Sequence, residues 1–174
     1  MKVINFFGAP CSGKSRNAAA LFALMKDAGF EVELVQEVAK HLVWAKRYKS
    51  LDDQLYIFAK QNDRLHTLNN EVDYVISDSP LILSALYMPK DYPSSFAPFV
   101  HEIFNRYDNI NVFLRRIHPY QQKGRLHNET EAASINNRLH DYLLQEKVPF
   151  IELDSNQETS QIVFGLISHP PHVK

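Results

Sequence analysis

The chain has 174 residues, of which 45% are hydrophobic and 22% are charged, and its formal net charge is −1. These values are ordinary for a globular protein, and they predict a single domain over residues 1–174 whose core needs no disulfide or metal. The near-neutral charge excludes a general attraction to nucleic acid, so any such contact would require a local basic patch.

Short apolar runs alternate along the chain with stretches of helical periodicity. The apolar runs predict strands at residues 3–7, 72–77, 111–115 and 149–153, and the alternation of polar and apolar residues predicts one at 31–35. The periodic stretches predict helices at residues 14–28, 38–48, 51–68, 81–87, 99–107, 129–145 and 157–167. Proline and glycine predict loops at 88–98 and 117–128. This alternation predicts an α/β fold in which a five-stranded, mostly parallel sheet carries helices on both faces.

Residues 8–15, between the first strand and the first helix, read Gly-Ala-Pro-Cys-Ser-Gly-Lys-Ser. This is the G-x-x-x-x-G-K-[ST] phosphate-binding loop in its strand–loop–helix context. Its glycines let the backbone turn N–H groups toward a phosphate at the positive end of the helix. We expect Lys14 to contact the β- and γ-phosphates of ATP and Ser15 to bind Mg²⁺. The residues expected to bind the nucleotide here are Gly8, Ala9, Pro10, Cys11, Ser12, Gly13, Lys14, Ser15 and Arg16.

Two acidic residues follow predicted strands at the edge where ligands of parallel sheets bind. Asp78 follows the third strand and is a candidate to hold Mg²⁺. Its alternative role is a helix cap, since Asp-Ser-Pro is common at helix starts. Glu37 follows the second strand and is a candidate general base and acceptor contact, or alternatively a solvated residue at a helix start. Either carboxylate can accept the proton of an acceptor hydroxyl, so the choice of base stays open.

Basic residues surround the predicted loop at 117–128, and we expect residues 115–128 to form a lid. Arginines on a closing lid neutralise the charge that develops during phosphoryl transfer and exclude water. Arg125 is the candidate contact of the γ-phosphate. Arg115 and Arg116 are candidates to stack near the adenine or to reach the phosphates. The alternative is a basic surface loop.

Acceptor contacts are expected from the helix between the second and third strands. A glutamine can hydrogen-bond a base edge, an aromatic ring can stack on a base, and an arginine can hold a phosphate. The candidates are Gln54, Phe58, Gln61 and Arg64. Core packing is the alternative for the aromatic residue. A local basic strip near the acceptor, or alternatively a solvated helix face, is expected from Lys40, Lys46, Arg47 and Lys49, with Lys60 and Arg64.

These motifs resemble those of P-loop kinases of the thymidylate-kinase and deoxynucleoside-kinase superfamily, over nearly the whole chain. More narrowly, residues 37–40, 53–61 and 77–80 are similar to small phage-encoded kinases, some of which phosphorylate 5-hydroxymethyluracil bases in DNA. The resemblance implies a three-layer P-loop kinase fold, ATP with Mg²⁺ as the donor, and an acidic residue that assists a hydroxyl acceptor. Residues 78–80 depart from the Asp-Arg-[Ser/Tyr] signature, which disfavours a plain nucleoside monophosphate kinase.

The sequence supports three functional hypotheses. The leading one is an ATP-dependent kinase that phosphorylates a hydroxyl of a nucleoside-type acceptor, with the 5-hydroxymethyl group of a modified pyrimidine in phage DNA as the first choice. The second is a kinase of free nucleosides or nucleotides, including nicotinamide riboside. The third is an ATP-binding NTPase switch without acceptor chemistry. The oligomeric state stays open between a monomer and a homodimer.

Three features of the sequence indicate the cellular compartment. The single cysteine, Cys11, cannot form an internal disulfide, as expected in a reducing environment. Lys2 leads directly into an apolar run, so we expect no signal segment. No apolar run approaches the length of a membrane span, so we expect no membrane partner. The sequence therefore predicts a cytoplasmic protein, in the host cytoplasm if a phage encodes it.

Overall fold

The computed structural model of the protein describes residues 1–121 and 128–168. Within these residues one sheet of five parallel strands has the order β2-β3-β1-β4-β5. The strands are β1 Lys2–Phe7, β2 Val32–Val35, β3 Tyr74–Ser77, β4 Asp108–Arg115 and β5 Ile151–Asp154. The predicted α/β sheet is confirmed, and it is parallel throughout. The carboxyl ends of β1, β2 and β3 therefore meet at one edge, where ligands of such sheets bind.

Helices connect the strands and cover both faces of the sheet. They are α1 Lys14–Asp27, α2 Val38–Trp44, α3 Tyr48–Leu51, α4 Gln54–Thr67, α5 Leu83–Tyr87, α6 Phe96–Phe104, α7 Glu129–Gln145 and α8 Thr159–Ser168. α7 has the predicted bounds because Asn128 and Glu131 form a reciprocal capping box at its start. In the described parts of the chain, no helix is long and apolar enough to cross a membrane.

β1 is the central strand, and its alternating side chains belong to two separate cores. Val3 and Phe7 pack into the cluster formed with α4, α5, α6 and α7. Ile4 and Phe6 pack into the cluster formed with α1 and α8. This alternation with a period of two is that of a strand buried on both faces. The end of β1, where the phosphate loop begins, is therefore held from both sides.

The predicted helices at 38–48 and 51–68 are divided into three. The first helix, α2, ends at Trp44, and Lys46 two residues later adopts a left-handed backbone with φ 56°. α4 starts late because the Asp53 side chain accepts the Tyr56 N–H at 3.1 Å as an N-cap. The acidic pair at 52–53 therefore separates α3 from α4 instead of lying in one helix.

α6 begins at Phe96, three residues before the predicted start at Phe99. Pro98 is the third residue of this helix, a position that suits proline because N–H groups in the first turn have no intrahelical partner. The Phe96 ring packs against Tyr92 with centroids 4.9 Å apart, which buries the first turn. The proline therefore marks a helix start here and not the end of a loop.

Phe58, which was predicted to contact the substrate, lies in the core. It is 3% exposed, and its ring packs edge-on against Phe96 and Phe99 with centroids 6.0 and 5.8 Å apart. It does not line the cavity that contains the phosphate loop. The predicted stacking role is wrong, because α6 covers this face of α4, and the alternative of core packing is confirmed.

Phe58→Ala is therefore expected to lower the free energy of unfolding by about 3–5 kcal/mol, since it removes a buried ring and leaves a cavity. Leu55→Ala is the control on the same helix, because Leu55 is 54% exposed, and its cost should stay near about 0.5 kcal/mol. Chemical denaturation measures both values. Equal, small losses for the two variants would contradict the position of Phe58 in the core.

Candidate active site

The phosphate loop at residues 8–15 leaves β1 and enters α1 through two glycines with positive φ. Gly8 has φ 139° and Gly13 has φ 85°. A Cβ atom at Gly13 would lie 2.3 Å from Ser155 Oγ, and one at Gly8 would lie 2.4 Å from Ser12 Oγ. Both the backbone conformation and the close packing therefore require glycine. The resulting turn leads directly into the start of α1, and backbone N–H groups at such a helix start can bind an anion.

Lys14, the first residue of α1, folds its side chain back over the loop. Its Nζ donates to the carbonyl oxygen of Gly8 at 2.7 Å and to that of Ala9 at 3.0 Å. The loop is also tied to α7, because the Ala9 N–H donates to Asn136 Oδ1 at 3.4 Å. The lysine cation thus lies beside the place where the loop would hold nucleotide phosphates.

Ser15 and Asp78 meet next to the loop. Ser15 Oγ donates to Asp78 Oδ2 at 2.6 Å. Asp78 is only 3% exposed, and its Oδ1 is buried without a hydrogen-bond partner among the described residues. Ser12 Oγ in the loop is buried in the same way. Buried oxygens without partners beside a phosphate loop suit a bound cation and bound phosphate, which would supply the missing interactions.

These residues fit a magnesium ion that is shared with a nucleotide. Across residues 1–121 and 128–168, no group of three or more His, Cys, Asp or Glu side chains could hold a metal by itself. Mg²⁺ is commonly held by one or two protein groups together with phosphate oxygens, and Ser15 and Asp78 provide that set. The capping alternative for Asp78 is not supported, because α5 begins at Leu83.

Glu37 lies between β2 and α2, is partly buried, and lines the same cavity as Lys14 and Asp78. Burial raises the pKa of its carboxyl above the ordinary value of 4.5, Lys14 opposes this rise, Asp78 adds to it, and Lys40 opposes it. The net pKa shift is upward because desolvation of the charged form outweighs the nearby cations. A carboxylate with a raised pKa is a stronger proton acceptor, which is the property of a general base.

Gln61 and Arg64, on α4, hold the backbone on either side of Glu37. Gln61 Oε1 accepts the Val38 N–H at 3.1 Å, and its Nε2 donates to the Gln36 carbonyl at 3.4 Å. Arg64 Nη1 donates to the same carbonyl at 2.8 Å. Gln61 is buried and lines the cavity, whereas Arg64 does not line it. The structure therefore gives both residues a positioning role, and it places Arg64 outside the predicted acceptor site.

The phosphate loop opens into a cavity of about 680 Å³ that is also lined by residues of α2, α4 and α5. This volume is in the range of small-molecule sites. Gln54 lies in its wall, where an acceptor contact was predicted. Lining residues that the sequence did not single out for the site include Val43, Trp44, Leu51, Ile57, Leu83, Ser84 and Tyr87. The helical spacing of residues 38–44 is a sequence signal that could have indicated Val43 and Trp44. The helix α5 is too short to show a periodic signal for Leu83, Ser84 and Tyr87.

Arg115 and Arg116 do not line this cavity. Arg115 Nε donates to Asp154 Oδ1 at 2.8 Å, and Arg116 Nη1 donates to Glu129 Oε1 at 2.9 Å. Both guanidinium groups are thus paired with acidic side chains of neighbouring elements. A contact of either arginine with the nucleotide stays a prediction that would require these ion pairs to rearrange.

Two other basic residues of the predicted site have different positions. Arg16 lines the cavity, and its Nη2 donates to the Asn156 carbonyl. Arg125 lies outside the described residues, as do the other residues of 122–127 in the predicted lid. Gln121, in the described first part of the predicted lid, reaches the phosphate loop, because its N–H donates to Cys11 Sγ at 3.4 Å. This part of the predicted lid therefore lies next to the loop that the lid is predicted to cover.

The site has the features of a P-loop domain. They are a glycine-bounded phosphate loop at the carboxyl edge of a parallel sheet and acidic residues after β2 and β3. A family model described as an AAA domain matches residues 3–159, and the chain belongs to that family. No curated protein matches the chain.

Solved structures with the same fold include a deoxyadenosine kinase from M. mycoides. With the products dCMP and a flexible dCDP bound, that structure is 17% identical in sequence, has a TM-score of 0.61, and is matched over 95% of this chain and 98% of its own. With dATP bound, the identity is 15% and the TM-score is 0.57, over 97% of this chain and 100% of the other. The predicted three-layer P-loop kinase fold is confirmed.

Proposed function

We propose that the protein is an ATP-dependent kinase that transfers the γ-phosphoryl group to a hydroxyl of a nucleoside-type acceptor. The observation that carries this proposal is one cavity that joins the phosphate loop to Glu37, Asp78 and the walls formed by α2, α4 and α5. A phosphate loop alone suffices to bind ATP, whereas the space beyond it accommodates a second substrate. The same fold in a deoxyadenosine kinase with deoxynucleotides bound supports the proposal.

On the donor side, we assign ATP to the loop amides, Lys14 and Arg16. Ser12 Oγ, buried without a partner among the described residues, is available to donate to a phosphate oxygen. Ser15 and Asp78 would hold Mg²⁺, which when bound neutralises charge on the β- and γ-phosphate oxygens. These groups stabilise the transferring phosphoryl group mainly by position and charge.

On the acceptor side, we assign the base to Glu37. Its carboxylate takes the proton of the acceptor hydroxyl while that oxygen forms a bond to the γ-phosphorus. The bond from the γ-phosphorus to the bridging oxygen breaks, and ADP leaves with the electron pair. Asp78 suits the metal better than the base, because its Oδ2 already accepts the Ser15 hydroxyl at 2.6 Å.

As the acceptor we favour a hydroxymethylated pyrimidine within DNA. Residues 38–51 carry four Lys or Arg residues and no Asp or Glu, and cations of this kind bind phosphodiester groups. Lys40 and Trp44 of this segment line the cavity, and Trp44 is 64% exposed. An exposed ring at a binding site offers a surface on which a base stacks. Ser79 after Asp78, instead of arginine, also disfavours a free nucleoside monophosphate.

A free nucleoside or nucleotide is the second candidate acceptor. The structural relatives that carry free deoxynucleotides favour it. The net charge of −1 also favours it, since polymer binding usually draws on several phosphate contacts.

Label transfer from γ-labelled ATP to a panel of acceptors tests the proposal. The panel contains deoxynucleosides, their 5′-monophosphates, nicotinamide riboside, and DNA with or without 5-hydroxymethyluracil. Transfer to hydroxymethylated DNA alone supports the favoured acceptor, and transfer to a free compound supports the second candidate. ATP hydrolysis without transfer to any acceptor would overturn the kinase proposal in favour of an NTPase switch.

A further inference from the structure

α5 lines the cavity but has no part in the chemistry assigned above. Ser84 and Tyr87 are three residues apart on this helix, a spacing that puts them on one face, and both line the cavity together with Glu37. The same segment is anchored in the core, where Leu81 and Ala85 are buried. α5 therefore presents two hydroxyl groups to the cavity from a rigid support.

Electrostatic interactions connect the polar groups that line the cavity. Glu37 interacts with Lys14 and Asp78, which belong to the phosphate-binding end. Tyr87 interacts with Glu37 and with Arg138, and burial together with the Glu37 charge raises the pKa of Tyr87 to about 12. Glu37 thus interacts both with the phosphate-binding charges and with Tyr87. The Tyr87 hydroxyl is protonated at neutral pH and is a hydrogen-bond donor.

α7 is hydrogen-bonded both to the phosphate loop and to the backbone next to Tyr87. Arg138 Nη2, on α7, donates to the Leu86 carbonyl at 3.3 Å, next to Tyr87 in the chain. Two residues earlier on the same helix, Asn136 Oδ1 accepts the Ala9 N–H of the loop at 3.4 Å. One helix therefore holds both the donor end of the cavity and the backbone that carries Tyr87.

We propose that the Tyr87 hydroxyl, with Ser84 beside it, binds a second polar group of the acceptor and thereby selects the acceptors that place their hydroxyl at Glu37. This inference rests on the proposed kinase function and adds a specificity-determining residue to it. Because a protonated phenol donates, the recognised group is a hydroxyl or carbonyl oxygen or a ring nitrogen. An alcohol without such a group would leave the phenol unpaired and would be rejected.

Tyr87→Phe tests the inference because it removes only the phenol oxygen. With whichever acceptor of the panel the wild type phosphorylates, we expect the KM for that acceptor to rise about ten- to a hundred-fold. The KM for ATP should not change, since the ATP contacts are assigned to the phosphate loop, Lys14 and Arg16, whereas Tyr87 lies on α5. Tyr74→Phe is the matched control, because Tyr74 lies at the amino end of β3, the end of the strand away from the ligand-binding edge, and does not line the cavity.

Acceptor analogues that each lack one oxygen or nitrogen identify the recognised group. The analogue that lacks the recognised group should have a higher KM than the complete acceptor with the wild type. With Tyr87→Phe the two compounds should have the same KM, because the variant and the analogue each remove the same hydrogen bond. Equal acceptor KM values for Tyr87→Phe and Tyr74→Phe would overturn the inference and leave the kinase function standing. A wild type that phosphorylates no member of the panel would instead overturn the kinase function, and the inference with it.

Discussion

Lys14→Ala is expected to lower the rate of phosphoryl transfer by about a hundred-fold or more, the cost of losing one preorganised charge at a developing anion. Lys14 Nζ lies over the phosphate loop, where it is held by the carbonyls of Gly8 and Ala9. Alanine would leave the loop in place but would remove the cation from the phosphates. Steady-state transfer from γ-labelled ATP measures the loss.

Lys26→Ala is the control for this variant. Lys26 lies in the last turn of the same helix, α1, and pairs with Glu33 at 3.0 Å on the surface. Its removal should leave transfer unchanged, since it is remote from the loop. Thermal unfolding shows whether both variants keep their fold. Transfer near the wild-type rate by a folded Lys14→Ala protein would contradict the assignment of the loop as the donor site.

Glu37→Gln is expected to lower transfer by about 10²- to 10⁴-fold, the usual contribution of a general base. Glutamine keeps the size of the side chain but cannot take the proton of the acceptor hydroxyl. Glu33→Gln is the matched control, because Glu33 lies on β2 and pairs with Lys26 away from the cavity. Asp78→Asn should instead raise the Mg²⁺ concentration that transfer requires. A nearly full rate for Glu37→Gln would show that the base lies elsewhere.

The pH dependence gives an independent test of Glu37. Only the ionised carboxylate accepts a proton, so kcat/KM should fall as the pH drops through the raised pKa, with a midpoint above 4.5. The contribution of Glu37 to folding stability changes with pH in the opposite direction and rises as the pH drops. The reason is that a raised pKa means that ionisation of Glu37 disfavours the folded state. Glu37→Gln should therefore lose the acidic limb, and it should gain stability over the wild type at neutral pH but not below pH 4.5. A midpoint at or below 4.5 would contradict the burial of this carboxyl.

Local signals were sufficient for the parts of the fold and site that depend on neighbours in the chain. The phosphate loop follows from two glycines with positive φ between a strand and a helix. The start of α7 follows from the capping box of Asn128 and Glu131. Glu37 and Asp78 line one cavity, as the position of ligand sites at the carboxyl edge of parallel strands predicts. This prediction needs only the direction of the strands.

Other features depend on how helices pack, which periodicity does not specify. Phe58 and Gln61 are three residues apart on α4, yet the first packs against α6 while the second bonds the backbone beside Glu37. Tyr87 lies on a five-residue helix, too short for a periodic signal. Its place beside Glu37 results from the anchoring of α5 in the core.

The central claim is that one cavity brings a bound nucleotide and a second substrate together. The most direct test of this claim is whether ATP consumption is coupled to phosphorylation of the acceptor. ADP formation and labelled acceptor are measured in the same reaction, with and without the acceptor found in the panel. We predict slow ADP formation without the acceptor and, with it, one phosphorylated acceptor for each ADP. ADP formation at the same rate in both reactions, with no label on the acceptor, would contradict the claim.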